Sequence, residues 1–481
     1  MIKNEKKVTV NFLYQLTYQL LLVIMPLITA PYISRVLGAT NTGIYSYTYA
    51  VAAYFMMFSS LGIDIYGNRC IAKCDDRNHK ELNEVFSGIL FAHLISAIIV
   101  IIAYCAYVFL FKSKYKEIAL LQGLWILSTT FDISWFFFGL EKFKITVTRN
   151  FIIKITSVLL VFLLVRTADD LWIYTLIMAG SAFFSQLILW CFVFKYIEIC
   201  KVPFYKIIEH FKSIASLFIA VAATSVYLMI DKVMLGWNKD MAILGSYEYA
   251  DKILRIVVSL ITALGTVMLP RMTSLYSRYE KEKAKFYLQM SSKFLFIMTC
   301  ALGFGLAGIA KVFIPLFLGD EYVSAILIVK ILCVAIPVMG WNNFVRTQIL
   351  MPNMKDKVYT IAVWAGAIID VLLNIILIPI FSAYGAAVAT VITYVTVGFF
   401  QTIPVLKEFP IRNCLKNFFP SLVIGGIMFL VVRKIGELNI SSFKLLILQI
   451  LAGIIIYVPL QILYMFLSND DILKYVRNLK R

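Results

Sequence analysis

The sequence predicts an all-α polytopic membrane protein. It reads as about 14 transmembrane helices in two pseudo-symmetric six-helix lobes around a central cavity, with two extra C-terminal helices. Three observations predict this fold class. First, 61% of the 481 residues are hydrophobic and 15% are charged, whereas a soluble domain has about half apolar and about a quarter charged residues. Second, apolar runs of ~18 residues or more recur along the chain, each long enough to cross ~30 Å of hydrocarbon as a helix. These runs lack the two-residue alternation of a membrane barrel. Third, a polar motif near residue 40 returns near residue 240, so the chain echoes itself.

Hydropathy places the spans at 10–34, 42–66, 85–111, 117–139, 144–166, 171–194, 213–235, 245–269, 286–318, 322–350, 358–380, 384–406, 415–432 and 443–467. The first follows a basic start (Lys3, Lys6, Lys7) and so imitates a signal peptide. Its length, its Asn11, Gln15 and Gln19, and the lack of a clear A-x-A site mark it as a retained span. The thirteenth is short. Pro26 and Pro31 in span one, Pro315 in nine, Pro337 in ten, Pro404 in twelve and Pro459 in fourteen are expected to break or bend their helices.

Net charge is +18. With the N-terminus inside, inner loops and span ends hold roughly 29 Lys and Arg against roughly 9 outside. Arg69, Lys73, Arg77 and Lys80 share one inner loop; Arg271, Arg278, Lys281, Lys283 and Lys285 share another. Lys112, Lys114 and Lys116 form an outer cluster against the trend. The bias places both termini in the cytoplasm and accounts for most of the positive charge, so no nucleic-acid partner is expected. No cofactor or metal is expected either. The 8 cysteines are scattered, and the closest pair, Cys70 and Cys74, has no His or further Cys at ligand spacing. No G-x-x-x-x-G-K-[ST] occurs, so ATP is not bound by a P-loop.

The echo defines the halves. ISRVLGATNTGIYSYTYA (Ile33 to Ala50) parallels the stretch from Ile230 to Tyr249: Arg35 matches Lys232, Gly38 matches Gly236, and Gly43, Tyr45 and Tyr47 match Gly245, Tyr247 and Tyr249. Leu61-Gly62 before Arg69 likewise matches Leu264-Gly265 before Arg271. The offset stays near ~200 residues, the length of about six spans, which implies parallel repeats related by an axis along the membrane normal. Expected domains are an N-lobe at 1–200, a C-lobe at 201–410, and two additional spans with a cytoplasmic tail at 411–481. The substrate site is expected between the lobes.

Ionisable residues within spans are costly unless paired or wetted, and are functional candidates by default. They are Asp132, Lys154, Asp231, Lys232, Glu248, Asp251, Lys252, Arg255, Lys293, Lys311, Lys330 and Asp370. Glu248, Asp251, Lys252 and Arg255 share one face of span eight, with each acid four residues before a base. The stripe either neutralises itself or lines a wet cavity for an anionic substrate; the two readings are compatible. Lys154 and Asp370 lie nearest mid-membrane, where a mutual bridge is one arrangement. Lys293, Lys311 and Lys330 lie nearer span ends and are expected to snorkel.

ITAPYISRVLGATNTGIYSY, LGIDIYGNRCIAK, MIDKVMLG…LGSYEYADKI and LLNIILIPIFSAYGAAVAT resemble the bacterial oligosaccharide repeat-unit flippases (Wzx-like). These form the polysaccharide-transport branch of the multidrug/oligosaccharidyl-lipid/polysaccharide exporter superfamily. The likeness runs from Pro31 to Thr390. It implies two six-helix lobes around a central cavity, alternating access, and movement of undecaprenyl-pyrophosphate-linked oligosaccharide units to the outer leaflet. Implied partners are that lipid-linked oligosaccharide and membrane lipids, with polysaccharide polymerase and chain-length machinery as candidates. By position, the resemblance assigns the cavity Arg35, Asp231, Lys232, Lys252 and Arg255, with Gln348 and Asn374 as further polar positions; Lys154, Glu248, Asp251 and Asp370 join from the span reading. Rival classes are a multidrug exporter, which favours an acidic cavity, and a membrane polymerase or ligase, which typically needs a large outer loop.

Overall fold

The computed structural model describes residues 2–74, 78–110, 115–238, 240–416 and 418–467, with side chains from residue 24 onward except at 219–221, 223 and 224. Arg77, Lys112, Lys114, the side chains of Lys3, Lys6, Lys7, Asn11, Gln15 and Gln19, and the tail beyond 467 lie outside the described residues. Among the described residues the chain is helical and has no strand. The helices are α1 (Ile2–Ser60), α2 (Ile63–Ile71), α3 (His79–Leu110), α4 (Lys116–Thr130), α5 (Ser134–Gly139), α6 (Phe143–Leu164), α7 (Leu171–Val193) and α8 (Phe204–Trp237). There follow α9 (Met241–Ser277), α10 (Lys281–Leu318), α11 (Val323–Cys333), α12 (Ala335–Val345), α13 (Asp356–Thr402), α14 (Ile411–Lys416), α15 (Phe418–Ile435) and α16 (Ser442–Leu467).

Each expected span falls on one helix or on two consecutive helices. Nine helices are long and apolar enough to cross a membrane among the described residues, and the bent pair α11 and α12 raises this to 10. Two of the long helices carry two expected spans each. α1 has 59 residues, about 88 Å at 1.5 Å per residue, far beyond the thickness of a bilayer. It is broken at Gly38, whose φ of 73° lies where a Cβ is disfavoured. α13 is broken at Ser382, φ 51°. Span four is also interrupted: α4 ends at Thr130, and the Asp132 carboxylate accepts the backbone N–H of Ser134 at 2.7 Å to start α5. Asp132 therefore serves as a local turn acceptor.

Large apolar side chains on the outer faces of these helices, such as Ile98, Ile99 and Ile102 on α3 and Ile454 and Ile455 on α16, are exposed. In water such continuous faces would drive aggregation; in lipid they meet a solvent as apolar as themselves. Helices also satisfy their own backbone groups, which the bilayer interior requires.

The chain folds as two compact units, Met1–Leu244 and Gly245–Arg481. In the first, α1 packs against α3, α4, α6 and α8, and α4 packs against α7. Phe86, Trp135, Phe136 and Phe137 form a fully buried aromatic core where α2, α3 and α5 meet. α8 joins this unit through Tyr54 Oη, which donates to the Val226 carbonyl at 3.0 Å, and through a 2.8 Å hydrogen bond between Tyr66 and His210. Gly236 lies against the Tyr47 ring so closely that any Cβ there would overlap it. This compact unit runs through α8 to Leu244.

In the second unit α10 is central and packs against α11, α12, α15 and α16. Met428, Val432 and Tyr457 bury the two last helices against it, and Tyr457 Oη donates to the Ile297 carbonyl at 2.8 Å.

Candidate functional site

The charged stripe of α9 is the best-defined polar site in the second unit. Glu248 and Asp251 are buried. Their partners are not: the side chains of Lys252 and Arg255 are 38% and 40% exposed. Lys252 Nζ lies 3.0 Å from Glu248 Oε1, and Arg255 Nε donates to Asp251 Oδ2 at 2.9 Å. Both pairs follow from the i, i+4 spacing, with the acid toward the N-terminus. The acids thus face the packed interior while the cationic ends reach the accessible side. Paired charges avoid the several kcal/mol that lone ones would cost at this depth.

Arg255 uses only Nε in this pair. Among the described residues no group accepts a hydrogen bond from its two Nη groups. Its guanidinium therefore presents four N–H donors in a planar fork, the geometry that matches phosphate oxygens. Lys252 Nζ also lies 5.2 Å from the centroid of the Tyr249 ring, a cation–π contact that fixes the ammonium without consuming a donor.

α13 completes the surroundings. Tyr247, on α9 within the same stretch as the stripe, has its Oη 3.0 Å from Thr390 Oγ1 of α13. One residue before Tyr394, Thr393 donates to buried Asp370 at 2.8 Å, which ties the two halves of α13 together across the break at Ser382. Asn374 is fully buried one turn further along that helix. Gln348 sits in a π-helical turn, Arg346–Leu350, and accepts a hydrogen bond from Ser291 of α10 at 2.6 Å. A π turn leaves backbone out of the regular ladder and often marks a working segment.

The first unit holds the other candidates. Arg35 is exposed on α1, three residues before the break at Gly38, and Nη1 donates to the Pro31 carbonyl at 3.2 Å. Asp231 and Lys232 are buried on α8, and Lys154 is partly buried on α6. Lys154 and Asp370 belong to different units.

Sequence reasoning overlooked Arg149, a buried cation on α6 that donates to the Ser185 carbonyl, Gln186 Oε1 and Asn150 Oδ1 at 2.7–3.1 Å. Its position near a span end concealed it, since hydropathy assigns such residues to the interface. It ties α6 to α7. Thr390, Thr393 and Tyr394 were also missed, because hydroxyl groups in apolar runs carry no charge signal. No cluster of His, Cys, Asp or Glu among the described residues could hold a metal.

Residues 8–276, more than half of the chain, match the family described as polysaccharide biosynthesis protein. The chain belongs to that family. Two relatives carry the name "Putative O-antigen transporter". One from Shigella dysenteriae is 23% identical over 382 residues, 79% of this chain and 95% of the relative. The other, from Escherichia coli, is 22% identical over 396 residues, 81% of this chain and 94% of the relative. Among solved structures, the lipid II flippase MurJ in an inward closed conformation is similar with a TM-score of 0.72 at 16% identity, covering 98% of this chain and all of that one. An inward-facing multidrug resistance transporter of the MATE family is similar at a TM-score of 0.58 and 11% identity, covering 85% of this chain. These likenesses establish the fold: a multi-helix membrane bundle like those of MurJ and the MATE-family structure. Family and fold accord with the resemblance to the repeat-unit flippases.

Proposed function

We propose that this protein is a flippase that moves undecaprenyl-pyrophosphate-linked oligosaccharide units across the bacterial cytoplasmic membrane by alternating access, with both termini in the cytoplasm. The observation that carries the reading is the α9 stripe: two half-exposed cations backed by buried acids, with the Nη donors of Arg255 unused among the described residues. A pyrophosphate cannot enter hydrocarbon alone; charge-assisted N–H bonds from Arg and Lys supply what water otherwise gives it. The relatives' names and the MurJ-like fold support a lipid-linked saccharide as cargo. Arg35, Lys154, Asp231, Lys232, Asp370, Asn374 and Gln348 join the stripe as proposed substrate-binding residues. The polyprenyl tail stays in the bilayer while the headgroup passes. The protein carries out transport and no covalent chemistry, and its driving force is an ion gradient, the membrane potential or consumption of the product outside. Polysaccharide polymerase and chain-length machinery are its downstream partners.

Gene deletion with complementation tests this. Lipid-linked repeat units are expected to accumulate on the cytoplasmic face, and the wild-type gene but not its Arg255→Ala form restores export. A deletion strain with normal surface polysaccharide and raised drug sensitivity would replace this reading by a multidrug exporter.

A further inference from the structure

A second polar feature of the Gly245–Arg481 unit lies away from the α9 stripe. Lys311 on α10 and Lys330 on α11 each sit seven residues from the facing ends of their helices, Leu318 and Val323. That is about 10 Å, or two helical turns, from the short connection between them. Arg433 is in the last turn of α15. α10 packs against both α11 and α15, and Gly308, one turn before Lys311, lies against Val432, the neighbour of Arg433, so Lys311 and Arg433 belong to the same end of the α10–α15 contact. None of the three forms an ion pair or a side-chain hydrogen bond among the described residues. Three like charges near the ends of packed helices, with no ion pair among the described residues, make a basic corner that suits an anion at the membrane surface.

An apolar cavity of about 340 Å³ begins at Lys330. Its walls include Phe304 and Ala307 of α10, Pro337 of α12, and Phe429 and Phe418 of α15. Phe429 to Phe418 spans 11 residues of α15, about 16 Å along the helix. The cavity is thus an elongated slot with a cation at one end. Its rim is open, since Val334 beside Lys330 is 63% exposed. Snorkelling alone explains a lone lysine. It does not account for the apolar slot that opens beside Lys330 in the same basic corner.

We propose that this slot binds an anionic phospholipid of the surrounding bilayer, with its phosphate at Lys311, Lys330 and Arg433 and one acyl chain laid along α15. The charge pattern commits the occupant. A zwitterionic headgroup brings its own ammonium and gains less from three cations, while a free phosphate leaves the slot unfilled. Basic pockets between membrane helices recognise anionic headgroups by this combination. The site is independent of the transport reading, because it is measured by lipid retention rather than export.

The test uses the full-length protein, purified and stripped of native lipid, with binding read by native mass spectrometry. Dioleoyl phosphatidylglycerol is expected to bind more tightly than dioleoyl phosphatidylcholine. Lys330→Gln with Arg433→Gln should reduce that preference by about fivefold for each cation removed. Val334→Trp fills the exposed rim with the charges intact and should weaken both lipids. It also keeps the test open if the charge variants elute as aggregates. Equal binding of the two lipids by the wild type overturns the proposal, as does an undiminished affinity in Val334→Trp. Displacement of phosphatidylglycerol by millimolar inorganic phosphate would mean that the headgroup alone is recognised and overturns the slot. Preferential displacement by undecaprenyl phosphate would assign the slot to the cargo instead.

Discussion

At the residue scale, the informative contrast lies within the ion pairs of α9. Asp251 is buried while Arg255 is 40% exposed at its side chain. The acid therefore depends on the cation more than the reverse. Arg255→Lys preserves the charge beside Asp251 but loses the planar fork. Its thermal stability in detergent is expected within about 0.5 kcal/mol of wild type, while transport falls about tenfold. Equal transport by Arg255→Lys would show that a point charge suffices. Asp251→Asn does the opposite. It removes the counter-charge of Arg255 and is expected to cost about 1–2 kcal/mol, discounted for the half-exposed guanidinium. A thermal melt of the purified variant checks this. The stripe was legible in the sequence because i, i+4 spacing fixes which charges meet on a helix. The hydroxyls of Thr390, Thr393 and Tyr394 were not, because only the packing of α13 brings them near the charges.

At the element scale, glycine sets two features of the first unit. Gly38 breaks α1 in a conformation other residues avoid, and Gly236 admits the Tyr47 ring. Gly38→Ala is expected to destabilise by about 1–2 kcal/mol through backbone strain alone. Gly236→Val should cost about 1–3 kcal/mol by overpacking, and Tyr47→Ala in the same chain should recover part of it. Melting temperatures of the two single variants and the double variant separate these causes; no recovery would mean that the helix, not the ring, rejects the side chain. The matched positions Gly38 and Gly236 both fall where one helical segment gives way to the next. The sequence echo reported this correspondence. It did not report that one copy is a one-residue break between two helical segments and the other precedes a short connection. That difference depends on local φ and ψ, to which residue identity is only a weak guide when glycine permits both.

At the scale of the whole molecule, charge asymmetry gives a testable orientation. A reporter fused after Arg278, in the connection between α9 and α10, is expected to remain cytoplasmic, and one fused after Asp320, between α10 and α11, to be exported. The reverse pattern would invert the topology and with it the direction of transport assigned to the protein. The helical spans were legible because a bilayer imposes one length and one hydrogen-bonding solution on every crossing. Breaks at Asp132, Ser382 and the bend between α11 and α12 were less visible. Hydropathy averages over windows longer than the few residues that make a break.

By itself, the sequence determined the class of the fold, its helical spans and the pairing of the α9 charges, since these depend on local composition and on helix periodicity. Only the tertiary structure decided that the acids are packed inward with their cations accessible, that α8 joins the first compact unit, and that Lys330 stands beside an apolar slot walled by α10, α12 and α15. Those facts rest on contacts between residues far apart in the chain, and side chains on different helices carry no spacing by which one sequence alone could relate them.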